Sequence, residues 1–351
     1  MLTSGGDCAG LNAVMRGFVK AIANINIDVE IYGFADGYAG LINKKYRQIK
    51  PEEFSNILNL GGTILGTSRT PYKKLIQAEE SYKVAQMKET YRKMDLDVLI
   101  ILGGRGTHKT AAFLAGEGLN VIAIPKTIDN DIWGTDVTFG FHSAVNVATE
   151  CIDRIRTTAA SHRRTMIVEI MGNKVGWLTL YAGVGSGADI ILIPEIPYNI
   201  DSVMKYVDAC LNDKKRKHCV IAIAEGSMDK EEAVLSRKER MQRRAARNEI
   251  TASNRIAKAI TEKLHVETRV VVPGHIQRGG EPSAYDRVIC TQMGAFAAEL
   301  AAEKRFGVTV ALNGEKLITN DLADISGKTK FVPPKHELIR MARNIGISFG
   351  D

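Results

Sequence analysis

The segment PKTIDND, at residues 125–131, holds a dense set of chemically useful side chains. Asp129 and Asp131 stand two positions apart, next to Lys126 and Thr127. One carboxylate can take a proton from a hydroxyl group while the other supports a divalent cation. A lysine ammonium can neutralise the charge on a phosphoryl group during its transfer. An Asx-rich turn is the alternative, but the density of such groups within seven residues favours a centre for phosphoryl chemistry.

Three glycine-bearing segments could hold the phosphates on which such a centre acts. They are SGGD at 4–7, GGTILGTSR at 61–69 and GGRGT at 103–107. Glycine lets backbone N–H groups approach a phosphate, and the guanidinium of Arg69 can bind phosphate oxygens. A tight turn or a flexible loop remains an alternative explanation for the first two. The third is not a P-loop, because His108 stands where that motif needs a glycine before Lys109 and Thr110.

A fifth segment, GHIQRGG at 274–280, combines a histidine with an arginine. It contains His275 and Arg278, and Arg269 lies four residues before Pro273. Two arginines and a histidine around a glycine turn suit a sugar phosphate, because guanidinium groups bind phosphate oxygens with two parallel hydrogen bonds. A histidine by itself would be interpreted as a core or surface residue.

Short apolar runs alternate with amphipathic stretches of helical length along the chain. Strands are predicted at 29–35, 96–104, 119–127, 165–172, 188–195 and 217–226, and helices at 12–24, 81–94, 142–158, 200–212 and 249–264. The alternation predicts an α/β fold with doubly wound, parallel sheets. Such folds bind ligands beyond the carboxyl ends of strands, where the clusters lie. Only Met1 and Leu2 precede the first glycine turn, so we expect a short first strand or a chain that begins late.

Composition narrows the class of protein. Of the 351 residues, 45% are hydrophobic and 25% charged, which excludes wholesale disorder and leaves room for about two domains. No apolar run reaches about 18 residues, so no membrane span is expected. The net charge of +7 fits small anionic substrates as well as nucleic acid. The basic runs at 214–217 and 237–247 lack interleaved aromatic residues, so we interpret them as solvated helix faces and predict no nucleic-acid partner.

The cysteines indicate a compartment. Five are widely spaced with no C-x-x-C motif, which indicates neither a disulfide framework nor a zinc site. Reduced thiols favour a cytoplasmic location, and no signal peptide is recognised at the start of the chain.

Together the segments resemble the phosphofructokinase family. The matching pieces are LTSGGD, GGTILGTSR, LGG-x-GT, PKTIDND, SHRRTMIVEIMG, IPE, AEG and GHIQRGG, which run from residue 2 to 287. The chain is most similar to the group of this family that includes both ATP users and pyrophosphate users. The resemblance implies two doubly wound, Rossmann-like, three-layer domains with parallel-rich sheets. Residues 1–140 with about 250–300 would bind the phosphoryl donor, and residues 141–249 with part of the C-terminus would bind a sugar phosphate.

The resemblance also implies roles for individual residues. Asp129 matches the catalytic base, with Lys126 and Thr127 beside it, and Asp131 matches the carboxylate that supports Mg²⁺. Fructose 6-phosphate would be bound by Thr127, Asp129, Arg164, Met171, Gly172, Glu225, Arg269, His275 and Arg278, and the donor by Gly6, Arg69, Gly104, Gly106 and Thr107. Arg164 and Arg269 would reach in from a neighbouring subunit, which implies a homotetramer or homodimer.

Three positions depart from the family pattern. Arg105 occupies the usual place of an aspartate that helps to hold Mg²⁺, Asn173 replaces an arginine, and Ala9 stands where proline is common. The main prediction is an ATP-dependent 6-phosphofructokinase that makes fructose 1,6-bisphosphate, the committing step of glycolysis. A pyrophosphate-dependent enzyme is one alternative, since Lys126 is typical of pyrophosphate users whereas Gly106 leaves room for ATP. A catalytically impaired paralogue that binds phosphosugars is the other.

Overall fold

The computed structural model describes residues 1–25, 28–214, 217–246 and 251–351. The chain forms two compact units, each built from two separate stretches of sequence. The first comprises Met1–Ser143 and Arg278–Lys330, and the second comprises Ala144–Gln277 and Phe331–Asp351. Strands alternate with helices in both units, which confirms the predicted α/β class.

The first unit is organised around a five-stranded sheet. Its strands follow in the spatial order Leu2–Ser4, Leu99–Gly103, Val121–Pro125, Val308–Asn313 and Lys316–Asp321. Neighbouring strands are parallel except for the last pair, which is antiparallel. The strands at 99–103 and 121–125 are buried along their whole length, as expected where helices cover a parallel sheet. Its helices are Leu11–Asn24, Tyr38–Asn43, Tyr72–Leu75, Ser81–Lys93, Arg105–Gly116, Ala284–Ala302 and Leu322–Ile325, with 3₁₀ turns at Pro51–Phe54 and Ala78–Glu80.

The second unit contains a four-stranded, fully parallel sheet. Its strands lie in the order Ile190–Leu192, Cys219–Ala224, Thr165–Ile170 and Thr268–Val271. Its helices are Trp177–Gly185, Ile200–Asn212, Lys230–Ala233, Arg237–Ala246, Ala252–Leu264 and Glu337–Asn344. The helix Phe141–His162 and the 3₁₀ turn Gly274–Arg278 contain two of the three boundaries between the units, and the third lies between Lys330 and Phe331. None of the helices in the described ranges combines the length and the apolar character needed to cross a membrane.

The structure departs from the sequence-based expectations at two places. The run at 29–35 does not join the parallel sheet as a full strand: Tyr32–Phe34 pairs antiparallel with Tyr46–Gln48, because residues 46–48 offer it a hydrogen-bonding partner in a nearby segment. Residues 250–277, expected in the donor-binding part, belong where described to the second unit. The reason is packing, since Ala252–Leu264 contributes to the core of the second unit and Thr268–Val271 pairs with its sheet. The first strand, Leu2–Ser4, is short as expected.

Asp286 connects the loop after the PKTIDND segment to the helix Ala284–Ala302. Its side chain is fully buried and accepts hydrogen bonds from Gly140 N (3.0 Å), Ser143 N (2.7 Å) and Ser143 Oγ (2.5 Å). Asp286→Ala leaves these donors buried without an acceptor, so we expect it to lower the free energy of unfolding by about 3 kcal/mol. Ser283→Ala, which removes only the N-cap of the helix, should cost about 1 kcal/mol. Urea denaturation of both variants tests the difference, and equal losses would contradict it.

Candidate active site

The PKTIDND segment forms a loop that follows the strand Val121–Pro125. The chain reverses at Asn130, whose backbone φ of 51° is in the left-handed region. Asn130 Oδ1 accepts hydrogen bonds from Thr138 N (3.0 Å) and Lys330 Nζ (2.9 Å). Asp129 N donates to Thr127 Oγ1 at 3.1 Å. These bonds fix the backbone between the two carboxylates, so the loop presents Asp129 and Asp131 in a defined geometry.

Asn130 and Lys330 hold the PKTIDND loop in place through hydrogen bonds, and sequence reasoning missed both. Besides Asn130, Lys330 Nζ donates to the carbonyls of Thr135 and Asp136, both at 2.8 Å. Burial lowers the pKa of Lys330 to about 8. Lys330 lies 200 positions from Asn130, so no local pattern could have shown the pair. The polar residue between two aspartates was the available signal for Asn130.

Lys126 is buried, with 3% of its surface exposed, and its ammonium donates to the carbonyl of Gly6. Burial is the main cause that lowers the pKa of Lys126, and Arg278 lowers it further. The side chain therefore links the PKTIDND loop to the first glycine turn. It delivers a positive charge where little water competes with it.

The first two glycine segments are hydrogen-bonded to each other. Gly5 N donates to Ser68 O at 3.0 Å, and Thr67 Oγ1 donates to Gly5 O at 2.8 Å. Arg278 donates to Asp7 O at 3.0 Å and lies against Gly6, where an added Cβ would be 2.8 Å from its guanidinium. The missing side chain at Gly6 thus makes room for Arg278.

The third glycine segment joins the strand Leu99–Gly103 to the helix Arg105–Gly116. An added Cβ at Gly103 would come within 2.3 Å of the Thr107 side chain, so the turn needs glycine there. His108 is a core residue, because its ring nitrogens lie 3.1 Å from Gly104 O and 3.0 Å from Thr309 Oγ1. Burial lowers the pKa of His108 to about 4, which leaves it neutral. This agrees with the rejection of a P-loop.

These segments enclose a cleft of about 360 Å³ in the first unit. The structure brings to it the predicted catalytic and donor-binding residues together with Asp131 and Arg278, namely Gly6, Arg69, Gly104, Arg105, Gly106, Thr107, Lys126, Thr127, Asp129, Asp131 and Arg278. Four of the lining side chains are cations and two are carboxylates. A cleft of this charge, lined by glycine turns, suits a polyphosphate anion.

The remaining predicted residues belong to the second unit, where they form two groups. Met171, Gly172 and Glu225 lie at the carboxyl ends of neighbouring strands, and Glu225 N donates to Ile170 O at 2.9 Å. His275 also follows a strand, in the 3₁₀ turn Gly274–Arg278, and Met171 N donates to Gln277 Oε1 at 3.2 Å. This first group therefore shares the carboxyl edge of the sheet.

Arg164 and Arg269 form the second group, at the amino end of the same strands. Arg164 precedes the strand Thr165–Ile170, and Arg269 pairs in register with Met166. Glu267, which sequence reasoning missed, bridges them: Arg164 is 3.1 Å from one of its carboxylate oxygens, and Arg269 pairs with the other. Seven positions separate Arg164 from Met171, which corresponds to about 20 Å along a strand.

The basic run at 237–247 forms a helix over Arg237–Ala246. Arg243 pairs with Glu231 at 2.5 Å, and Arg244 pairs with Glu232 at 2.7 Å. These arginines are neutralised within the second unit, which favours the interpretation of a solvated helix face. Residues 215, 216 and 247 of the two basic runs lie outside the described residues.

The residues present do not fit a Mg²⁺ ion held by the protein. Asp131, expected to support the ion, lies with Oδ2 3.2 Å from Arg105 Nε. Burial raises the pKa of Asp131, and the charge of Arg105 opposes that rise. Within the described part of the chain, no group of three or more His, Cys, Asp or Glu side chains could hold a metal ion. The guanidinium of Arg105 therefore pairs with the carboxylate of Asp131, which a bound cation would need as a ligand.

Comparison with known proteins places this geometry in a family context. The family model described as Phosphofructokinase matches residues 1–301. An ATP-dependent 6-phosphofructokinase of Spirochaeta thermophila is 48% identical over 356 residues, which cover 100% of this chain and 97% of the relative. The ATP-dependent 6-phosphofructokinase 3 of Bacteroides thetaiotaomicron is 42% identical over 351 residues, with 100% and 99% covered.

Solved structures agree with the fold. Phosphofructokinase from Pichia pastoris in the T-state has a TM-score of 0.79 and 28% identity, with 93% of this chain and 35% of that longer chain covered. A pyrophosphate-dependent phosphofructokinase from Nitrosospira multiformis has a TM-score of 0.82 over 100% of this chain and 91% of its own, but 20% identity, so it supports the fold alone. Given the match of the family model and the full-length relatives, this chain belongs to the phosphofructokinase family.

Proposed function

We propose that this chain transfers the terminal phosphoryl group of ATP to the 1-hydroxyl of D-fructose 6-phosphate. The product is fructose 1,6-bisphosphate, and the reaction is the committing step of glycolysis. The observation that carries the proposal is the cleft in which Asp129, Lys126 and Thr127 lie beside the glycine turns at 4–7 and 103–107 and beside Arg69. The full-length relatives named ATP-dependent 6-phosphofructokinase support it.

In the proposed mechanism the protein contributes position and charge. Asp129 takes the proton from the sugar hydroxyl as that oxygen attacks the terminal phosphorus in line with the leaving group. Lys126 and Arg278 offset negative charge on the transferred group, and Thr127 orients the acceptor. Arg69, Thr107 and the backbone at Gly6, Gly104 and Gly106 bind the donor phosphates. Magnesium enters this scheme only as the ion that ATP carries as substrate.

Gly106 supports ATP as the donor. An ideal Cβ built at this position meets no atom within 4 Å, so the space beside it is open. A nucleoside triphosphate is larger than pyrophosphate and needs such space next to its inner phosphate. Lys126, which is typical of pyrophosphate users, donates one hydrogen bond to Gly6 O and lines the same cleft.

The sugar site is proposed to be shared between subunits of a homodimer or homotetramer. Arg164 and Arg269 lie at the opposite end of the strands from Met171, Gly172 and Glu225. A separation of about 20 Å along the strand exceeds the length of one sugar phosphate. The two groups would then serve different sites, one in their own subunit and one in a neighbour. Sedimentation of a dimer or tetramer is expected, and a fully active monomer would overturn this part of the proposal.

The position of Glu267 leads to a prediction about the binding of the sugar phosphate. Because its carboxylate pairs with both Arg164 and Arg269, the substrate phosphate must compete with it. Exposed ion pairs contribute up to about 1 kcal/mol each, so Glu267→Gln is expected to lower the KM for fructose 6-phosphate by about three- to tenfold, with kcat little changed. The control Glu303→Gln removes an exposed partner of Arg305 and should leave KM unchanged. A higher KM in Glu267→Gln would show that Glu267 instead orients the two arginines.

A location in the cytoplasm is also proposed. The cysteines at 8, 151, 210, 219 and 290 are free thiols in the structure, which suits a reducing compartment. Fractionation of the source cells with an antibody against this chain tests the assignment.

The experiment that tests the proposed function compares two donors on the purified chain. With fructose 6-phosphate and MgATP we expect fructose 1,6-bisphosphate, identified by ³¹P NMR, and with pyrophosphate we expect little or none. Equal turnover with pyrophosphate would favour the pyrophosphate-dependent alternative. Binding of fructose 6-phosphate with negligible turnover of either donor would favour the impaired paralogue, and the proposal would then be wrong.

A further inference from the structure

Arg105 is held in place from two sides. Its Nε lies 3.2 Å from Asp131 Oδ2, and one terminal nitrogen donates to Thr329 Oγ1. Lys330 N donates to Asp131 O at 3.0 Å, so the segment that holds Arg105 also holds its acidic partner. The arginine is therefore part of a built arrangement rather than a loose surface side chain, and 24% of its side chain is exposed.

These contacts leave capacity for a ligand on the guanidinium. An arginine side chain has five N–H donors, and the two contacts engage only some of them. Arg105 lines the same cleft as Lys126, Arg69 and Arg278. The bond to Asp131 also fixes the orientation of the planar fork before any ligand arrives, which lowers the entropic cost of binding.

The charge of the cleft opposes a bare cation and favours an anion. Four cationic and two acidic side chains line it, and one of the two acids is paired with Arg105. A divalent cation would have to displace the guanidinium from Asp131 and remain close to it. The oxygens of a polyphosphate, in contrast, can accept hydrogen bonds from the N–H groups of Arg105 that Asp131 and Thr329 do not engage.

We propose that Arg105 binds the donor polyphosphate directly, so that this cleft takes up free ATP without a metal ion held by the protein. The inference deepens the proposed function and rests on it for the identity of the donor. Arg105 would then be a donor-binding residue. Its positive charge would take the place of a divalent cation held by carboxylates. The recognised chemistry is a chain of linked phosphates.

Isothermal titration with ATP, without sugar phosphate, tests the proposal. For the wild-type chain we expect the affinity for ATP in excess EDTA to differ by less than about threefold from the affinity in excess Mg²⁺. Arg105→Gln should weaken binding of free ATP by about tenfold or more, because a charge-assisted contact is lost. Arg47→Gln is the matched control, since Arg47 pairs with Glu53 in the same unit and does not line the cleft. Binding that requires Mg²⁺ in the wild type, or an unchanged affinity in Arg105→Gln, would overturn the inference.

A second measurement needs no variant, in case Arg105→Gln does not fold. Mn²⁺ added to the wild-type chain without nucleotide is expected to keep the electron paramagnetic resonance spectrum of the free ion. Loss of that signal at stoichiometric protein would reveal a metal site in the protein and contradict the proposal.

Product formation, measured in parallel, separates this inference from the proposed function. If free ATP binds through Arg105 but fructose 6-phosphate is not phosphorylated, the proposed function is wrong and the inference stands. If fructose 1,6-bisphosphate forms with MgATP while free ATP does not bind, the inference is wrong and the proposed function stands.

Discussion

Asp129→Asn is expected to lower kcat for fructose 6-phosphate phosphorylation by about 10²- to 10⁴-fold, the contribution of a positioned general base. The amide keeps the shape of the side chain but cannot accept the hydroxyl proton at neutral pH. The hydrogen bond to Thr127 Oγ1 comes from the backbone N of Asp129, so it persists in the variant. Steady-state kinetics at saturating ATP measure the loss, and the KM for the sugar phosphate should change much less than kcat.

The control for this variant is Asp201→Asn. Asp201 is an exposed aspartate that pairs with Lys263 at 3.0 Å. Its kcat should match that of the wild type. If Asp129→Asn retains kcat within about threefold of the wild type, a smaller effect than general-base catalysis supplies, another group must take the proton and the assignment of Asp129 is wrong.

Lys126→Met is expected to lower kcat by about 10²- to 10³-fold without a loss of thermal stability. The fall in rate follows from removing a preorganised positive charge at the phosphoryl group. The stability should hold because methionine fills a similar volume and the cost of burying an ammonium disappears. That cost is evident in the pKa of Lys126, which burial lowers. Activity and the melting temperature are measured on the same preparation.

The matched control is Lys88→Met. Lys88 pairs with Glu117 at 2.7 Å on the helix Ser81–Lys93 and does not line the cleft. Normal activity is expected there. If Lys126→Met instead loses activity and melting temperature together, Lys126 acts mainly through its bond to Gly6 O, as a structural link between two loops.

Local patterns in the sequence predicted much of the fold. The buried runs around 100 and 122 became the central strands Leu99–Gly103 and Val121–Pro125, because a run of Ile, Val and Leu that is apolar on both faces is stable only under helices on each side. The helix predicted at 12–24 is observed at Leu11–Asn24. Antiparallel pairing of Tyr32–Phe34 was not predictable, since the strand period does not reveal which partner accepts the hydrogen bonds.

The candidate site also has features that the sequence predicted and features that it did not. That PKTIDND and the glycine turns at 4–7 and 103–107 share one cleft followed from their positions at strand ends, because parallel strands end on one edge of a sheet. The segment at 61–69 does not follow a strand, contrary to expectation, and Arg69 reaches the cleft because Gly5 is hydrogen-bonded to Thr67 and Ser68. The roles of Lys330 and Thr329 did not follow, because each acts on a residue that is far away in the sequence. Glu267 is two positions from Arg269, but its contact with Arg164 joins two distant segments and could not be read from local spacing. Arg105 and Thr329, for example, are 224 positions apart.

Residue order alone thus determined the α/β class, the strand ends that carry the reactive groups and the membership in a family of phosphoryl-transfer enzymes. These features depend on short-range periodicity and on motifs, which remain visible in a linear chain. Tertiary structure decided which distant charges meet: Arg105 with Asp131, and Glu267 with Arg164. Coulombic and hydrogen-bond energies depend on distance in space rather than along the chain. For that reason Arg105 is an unexpected substitution in the sequence, whereas in the folded protein it is the partner of Asp131 in the wall of the cleft.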